Sequence, residues 1–258
     1  MSTLSRKAWR IAGSGVAVLV LLFFTMQAAV GLAHKERTET AEVPVAGIAS
    51  VEIHNPAGQV RVIGDPDATS IGIRARIDDG LRRTGHSVTT DGDKLVVRAT
   101  CPAIGSAWCE VRYTIQVPAG LPVSIWAEGS IEVSDVTGGL EASSDGSSIT
   151  LQRVDGDLTL NSDQGRITAD GIDSDHVSAE SDQGRISLVF DESPRTVVAE
   201  ADQGSIEIVL PDPDVAYATD LSADQGDVND LVDRDLDSAR SIVAHADQGD
   251  VTLTYASS

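Results

Sequence analysis

Apolar and polar residues alternate with a period of two along most of the chain, in short runs separated by Gly, Asp, Asn, Ser and Pro. That period places one side of each run in a core and the other in solvent, which is the pattern of half-buried β-strands. Val51-Glu-Ile-His-Asn-Pro-Ala-Gly-Gln-Val-Arg-Val reads as strand, glycine turn, strand. Alternating runs follow at Ile71–Ile77, Ser87–Thr90, Lys94–Ala99 and Val111–Val117, with Asp91-Gly92 as a hairpin signal.

Beyond residue 120 the alternation becomes a repeat. Asp-Gln-Gly recurs at Asp163-Gln164-Gly165, Asp182-Gln183-Gly184, Asp202-Gln203-Gly204, Asp224-Gln225-Gly226 and Asp247-Gln248-Gly249, and Asp145-Gly146-Ser147 is a degenerate copy. Four places after each Asp stands Ile149, Ile167, Ile186, Ile206, Val228 or Val251; with Ile131 in front, the spacings are 18, 18, 19, 20, 22 and 23. Two residues further on come Val133, Leu151, Ala169, Leu188, Ile208 and Leu253, with Asp230 breaking the series. Apolar residues also sit three and five places before most of the Asp positions, as in Leu158/Leu160 and Val177/Ala179. The unit is strand, corner, strand, and every length change falls between units. Such a period without helical segments predicts an all-β fold: a β-solenoid resembling a parallel β-helix, with about 18–23 residues per coil. One coil buries too few side chains to offset its ordering entropy, so each must lean on its neighbours. Residues 45–119 lack the repeat and predict irregular β coils or a small sheet capping the solenoid of 120–258.

The corner predicts its own chemistry. Inward positions three before and four after each Asp differ in parity, so the chain must flip there. Gly165, Gly184, Gly204, Gly226 and Gly249 would supply a positive φ for that flip. The Asp carboxylates would cap the turn, and the stacked Gln164, Gln183, Gln203, Gln225 and Gln248 would form an amide ladder. Stacking brings Asp163, Asp182, Asp202, Asp224 and Asp247 to about 4.8 Å from one another, where charges repel by about 0.9 kcal/mol in water. Bridging Ca²⁺ would relieve this, but the glycine-rich nonapeptide of Ca²⁺ rolls is absent. Solvated turn-capping is the simpler expectation, with no cofactor.

One segment has no polar face. Ile11–Ala33 (IAGSGVAVLVLLFFTMQAAVGLA) runs 23 residues without a charge, roughly 35 Å as a helix, enough to span a bilayer core of about 30 Å. Arg6, Lys7 and Arg10 precede it, which keeps residues 1–10 in the cytoplasm and exports the rest. The apolar run exceeds a signal-peptide core, favouring an uncleaved single-pass signal-anchor at 11–33 and a linker at 34–44. Cleavage near Gly31 or Ala33, releasing a secreted chain, is the alternative. Export fits Cys101 and Cys109, which bracket a nine-residue loop between two strand-like runs and are expected to form a disulfide.

Charge divides the chain. Residues 1–119 carry 13 Lys and Arg against 11 Asp and Glu, whereas residues 120–258 carry 6 against 29. A formal charge of -21 excludes nucleic acid as a partner. Aromatic residues make up only 3%, which suits narrow coils and supplies few stacking platforms for a sugar cleft. His34, His54, His86, His176 and His245 show no metal-ligand spacing, and no nucleophile elbow or phosphate loop is present. Asp233-Arg-Asp235-Leu-Asp237 begins like an EF-hand loop but lacks its Gly and terminal Glu. A β-helix polysaccharide lyase or hydrolase is therefore disfavoured.

The segments NPAGQVRV and VPAGLPVSI, followed by DQGRITA, DQGRISL, DQGSIEI and DQGDVTL, resemble the bacterial "putative adhesin" family over roughly residues 45–258. The resemblance implies a β-strand-repeat domain, often tethered by one N-terminal transmembrane helix, at the cell surface, with no catalytic motif. The expectation is a non-catalytic extracytoplasmic module whose partner is a cation, an envelope polymer or a protein. An accessory or sensory ectodomain docked on a neighbouring membrane protein is the second reading.

Overall fold

The computed structural model describes residues 35–80, 82–102, 109–211 and 213–256. Among them the chain forms 21 strands in two mixed sheets and no helix. The apolar segment 11–33 lies outside the described residues, and no helix long and apolar enough to cross a membrane is found within them.

From residue 123 onward the chain passes alternately between the sheets. Strands β8 (Val123–Ala127), β10 (Leu140–Ser144), β12 (Leu158–Ser162), β14 (His176–Ser181) and β16 (Thr196–Gln203) lie in the ten-stranded sheet. Strands β9 (Ile131–Ser134), β11 (Ile149–Asp155), β13 (Ile167–Asp173), β15 (Ile186–Phe190) and β17 (Ile206–Leu210) lie in the eleven-stranded one. Each strand pairs in parallel with its counterpart one repeat away, so Ile149 faces Ile167, Ile167 faces Ile186 and Ile186 faces Ile206. Equivalent residues thus form columns between the sheets, fully buried at Leu151, Leu160, Leu188 and Ile208. The period-two alternation produces this directly, because inward side chains of both sheets meet in one core.

The layers do not follow chain order at either end. Strands β20 (Ser241–Gln248) and β21 (Val251–Tyr255), last in sequence, insert between β16/β17 and the pair β18 (Ala218–Gln225) and β19 (Val228–Asp230). Likewise β2 (Ser50–Asn55) pairs with both β6 (Lys94–Thr100) and β8, while β3 (Val60–Asp65) pairs with both β7 (Glu110–Pro118) and β9. The expected irregular cap therefore begins inside the stack, and one buried cluster runs through both halves of the chain. Antiparallel pairing is confined to the far end, where β4 (Ser70–Asp79) joins β7 and β5 (Gly85–Asp91) joins β6.

Residues 35–44 correct the linker expectation. Lys35–Pro44 is strand β1, paired antiparallel with β4 along its whole length. Its polar composition hid it: Arg37, Glu39 and Ala41 alternate inward on an edge strand whose pairing rests on backbone and charge. Arg37 donates to the Asp79 carboxylate at 2.8 Å and to the Thr84 carbonyl at 2.7 Å, while the Thr84 N–H donates to Asp79 at 2.7 Å. Nearby, Cys101 and Cys109 form a disulfide with Cα atoms 5.8 Å apart, linking the end of β6 to the start of β7.

Burial pushes the Asp79 carboxyl upward, but the Thr84 N–H and the Arg37 guanidinium outweigh it and hold it below the ordinary 3.8. A depressed folded-state pKa stabilises above the unfolded value, and the contribution fades as pH falls through the folded one. Asp79→Asn is expected to cost about 1–3 kcal/mol at pH 7 by removing the buried carboxylate that accepts from both Arg37 and the Thr84 N–H. Denaturant titrations of both proteins should converge as pH drops below 3.8; a gap that stays constant would contradict the assignment.

Candidate functional site

The five Asp-Gln-Gly corners do stack, in the spatial order set by the inserted layer. The Gln183 N–H donates to the Asp163 carbonyl and the Gln203 N–H to the Asp182 carbonyl. Gln248 then lies between Gln203 and Gln225 in register, which places Asp247 between Asp202 and Asp224. All five Asp and all five Gln side chains are exposed, forming an acid-and-amide ridge along one side of the stack.

Three details of the corner differ from the expectation. First, Gly249 alone among the five glycines has a left-handed φ, at 146°. The others are needed because the layers touch: a Cβ on Gly184 would stand 1.9 Å from the Gly165 carbonyl oxygen, and one on Gly204 1.9 Å from that of Gly184. Second, where a serine precedes the Asp, its hydroxyl caps the turn, as Ser144 does for the Ser147 N–H and Ser162 for the Gly165 N–H. Ser144, Ser162 and Ser181 are buried; Ser162 Oγ accepts from the Gly165 N–H at 3.0 Å and donates to the Ser147 carbonyl of the preceding layer at 3.2 Å. Ser181 donates to the Gly165 carbonyl at 3.1 Å. The column continues as Ala201, Ala246 and Ala223. This small-residue position was visible in the sequence, directly before each Asp. Third, among the described residues no hydrogen bond joins the Gln side chains, so the ridge is not an amide ladder.

The ridge ends in a cluster. Asp224, His245 and Asp247 are the described residues that bring three ligand atoms within 4.8 Å of one another. Asp163, Asp182 and Asp202 form no such group. His245 Nδ1 lies 2.7 Å from Ser222 Oγ, and Nε2 lies 2.8 Å from an Asp247 carboxylate oxygen. This Ser–His–Asp chain crosses two neighbouring strands on an open sheet face, with His245 43% and Asp247 52% exposed. A hydrolytic triad uses the opposite ring nitrogens, and it works beside a water-excluded oxyanion site. Here the chain pins β18 to β20.

The last layer is where the repeat pattern breaks, and the breaks have a cause. Thr219 and Asp230 replace the aliphatic residues of inner layers and hydrogen-bond to each other at 3.0 Å across the terminal strands. Half of this end is closed: Tyr217 is buried, and the Asp235 N–H donates to its carbonyl at 2.9 Å as the segment after β19 folds back. The corner half is open. Leu231 (61%) and Leu236 (73%) stand exposed on the segment after β19, while at the corner Leu221 and Ala223 are partly exposed and Val228 is 45% exposed. Their neighbours one layer inward, Ala244, Ala246 and Val251, are 0% exposed. Seven Asp and a single Arg lie within residues 218–239. Acid rims an apolar patch.

Elsewhere the surface offers less. On the outer face of the ten-stranded sheet His54 stacks on Trp126 with ring centroids 4.3 Å apart, and Trp126 Nε1 donates to Asp145 at 3.1 Å. Burial, then the Arg98 charge, lowers the His54 pKa. An open groove of about 820 Å³ beside β1 and β4 is lined by Glu42, Asp65, Asp67, Ser70, Arg74 and Gln116. Two of its pairs, Ser70 with Glu42 and Gln116 with Asp65, are already joined by hydrogen bonds at 2.8 and 2.7 Å.

No family model matches the sequence, and no curated protein matches it. Solved structures similar to this chain include a putative cell adhesion protein from Clostridium sporogenes, at 10% identity over 86% of this chain and 100% of the other, with a TM-score of 0.38. A putative adhesin from Bacteroides fragilis is 14% identical over 85% and 97% of the two chains, with a TM-score of 0.43. A putative lipid binding protein from Parabacteroides distasonis is 12% identical over 86% and 97%, with a TM-score of 0.42. At these identities and scores the role of the chain has to be read from its own residues.

Proposed function

We propose that the two sheets form the β-solenoid that the repeat predicts, and that it is a non-catalytic binding module held outside the cell membrane by residues 11–33. The observation that carries this reading is the polarity of the stack. Strand β1 begins at Lys35, two residues after the apolar segment, on the outermost strand of the eleven-stranded sheet. The acidic, partly apolar end formed by β18 and β19 lies at the opposite limit, ten strand intervals away, roughly 48 Å at about 4.8 Å each. A rod of that form carries its binding end away from the bilayer. Supporting a non-catalytic role, the carboxylates of Glu52 and Asp135 are held below their ordinary range by hydrogen bonds from Lys94 and Arg153, pairs that join neighbouring strands instead of lining a cleft.

The chain has three lysines, Lys7, Lys35 and Lys94, which makes its topology measurable. In spheroplasts of a bacterial host expressing the full chain, a membrane-impermeant amine reagent is expected to label Lys94, which is exposed, and to reach Lys7 only after lysis. Labelling of Lys94 only after lysis would overturn the exported reading.

A further inference from the structure

The terminal layer is chemically unfinished. Strands β18 and β19 are each the last of their sheet, so each presents one free edge of backbone N–H and C=O groups. The inner positions of β18 next to that edge are Leu221 and Ala223, both partly exposed, while its outward positions are Asp220, Ser222 and Asp224. Val228, in register with the buried Val251, extends the apolar side across the corner. The layers inside the stack present such residues to a further layer, which buries them.

We infer that this end is a docking site for a β-strand of another protein, one that adds to the free edge of β18 and alternates apolar with cationic residues. The alternation follows from register. A strand paired with β18 sets its inward side chains against Leu221 and Ala223, so they must be apolar. Its outward side chains lie beside Asp220 and Asp224, and opposite charges on neighbouring strands attract whereas like charges repel. Strand addition to an exposed edge is a general recognition mode in which backbone hydrogen bonds give affinity and alternate side chains give specificity. Charge also argues against a second copy of this chain in the same place, because two such ends would bring seven Asp against seven. The segment 231–240 covers the Tyr217 side of the layer and leaves the corner side accessible. The inference deepens the proposed function by naming the partner's chemistry and rests on its claim that the chain binds; it does not depend on membrane anchoring.

The test uses the purified full chain in detergent and a fluorescent nine-residue peptide alternating Lys with Val. A peptide of the same composition with its lysines and valines in separate blocks, and one with Glu in place of Lys, are the controls. Anisotropy is expected to give at least tenfold tighter binding for the alternating Lys peptide than for either control. Its binding should protect the β18 amides Ala218–Gln225 from hydrogen exchange. The double variant Asp220→Lys/Asp224→Lys, both exposed positions, should lose at least tenfold for the Lys peptide and gain for the Glu peptide. Asp163→Lys/Asp182→Lys, the same charge change in mid-ridge, should leave affinity within twofold. Equal losses in both double variants would reduce the binding to general electrostatics and overturn the inference. So would protection elsewhere than β18, or sedimentation showing that Leu231→Lys breaks a self-associated form. The lysine-labelling result is independent of these outcomes, so failure of the peptide arm and failure of the exported reading are distinguishable.

Discussion

Ending the chain after Ser238 is expected to remove two layers from the stack instead of one. Strands β20 and β21 are last in sequence but interior in space, and Ile242, Ala244, Ala246, Val251 and Leu253 on them are 0% exposed. Burial of Ile242, Val251 and Leu253 alone contributes about 5–9 kcal/mol. Without these strands, β18 and β19 lose their sheet neighbours among the described strands. They could regain partners only by sliding onto β16 and β17, where Thr219 and Asp230 would face Val197 and Ile208 in place of Ile242 and Leu253. Sliding would not restore the contacts specific to the lost layer: Tyr255 Oη donates to the Val215 carbonyl and accepts from the Asp233 N–H, the Asp250 carboxylate accepts from the Asp227 N–H, and His245 bonds Ser222. Hydrogen exchange on the truncated chain should therefore show rapid exchange throughout residues 218–230, with protection retained in β10 to β15. Amides of β18 that stay protected would mean that the repeat can restack in chain order and that the inserted layer is dispensable.

Gly184→Ala should be among the most damaging single methyl additions. A Cβ there meets the Gly165 carbonyl oxygen at 1.9 Å, and Ser181 Oγ lies 3.0 Å away. The obstacle is backbone one layer down, so no rotamer relieves it and the corner must open. Overpacking of this kind costs about 3 kcal/mol, which in a protein of this size lowers Tm by roughly 6–12 °C. Gly92→Ala is the informative comparison: its φ is +63° and nothing lies within 4 Å of the added Cβ, so only conformational strain of about 1 kcal/mol applies. Thermal melts of the two variants separate layer contact from left-handed backbone as the reason for the corner glycines. If Gly92→Ala proves the more harmful, the contact explanation fails.

The second turn of the repeat shows where conformation does govern. Asp135, Arg153 and Gly171, spaced by 18 residues, have φ of 60°, 51° and 70°. Arg153 tolerates this as a non-glycine residue with its guanidinium on Asp135 at 2.7 Å. The next layer omits the extra residue, and the register of β13 against β15 shifts there.

Much of this protein was legible along the chain. Period-two alternation defined the strands, because a half-buried strand has no other way to separate its two faces. The recurrence of Asp-Gln-Gly located the corners, and the lapse at Asp230 marked the layer that has no neighbour on one side. Even Ser144, Ser162 and Ser181 were readable as a small-residue column, although their hydrogen bonds were not. Tertiary structure alone decided the order of the layers. Repeats of nearly the same sequence offer nearly the same ladder to one another, so local pattern cannot rank β20 against β18 as the neighbour of β16. That choice belongs to the whole stack, which gains most by burying Ile242 and Leu253 inside and leaving Thr219 and Asp230 at the end. The same holds for β1, whose strand exists through pairing with β4 and the Arg37–Asp79 contact, energies that its own sequence does not contain.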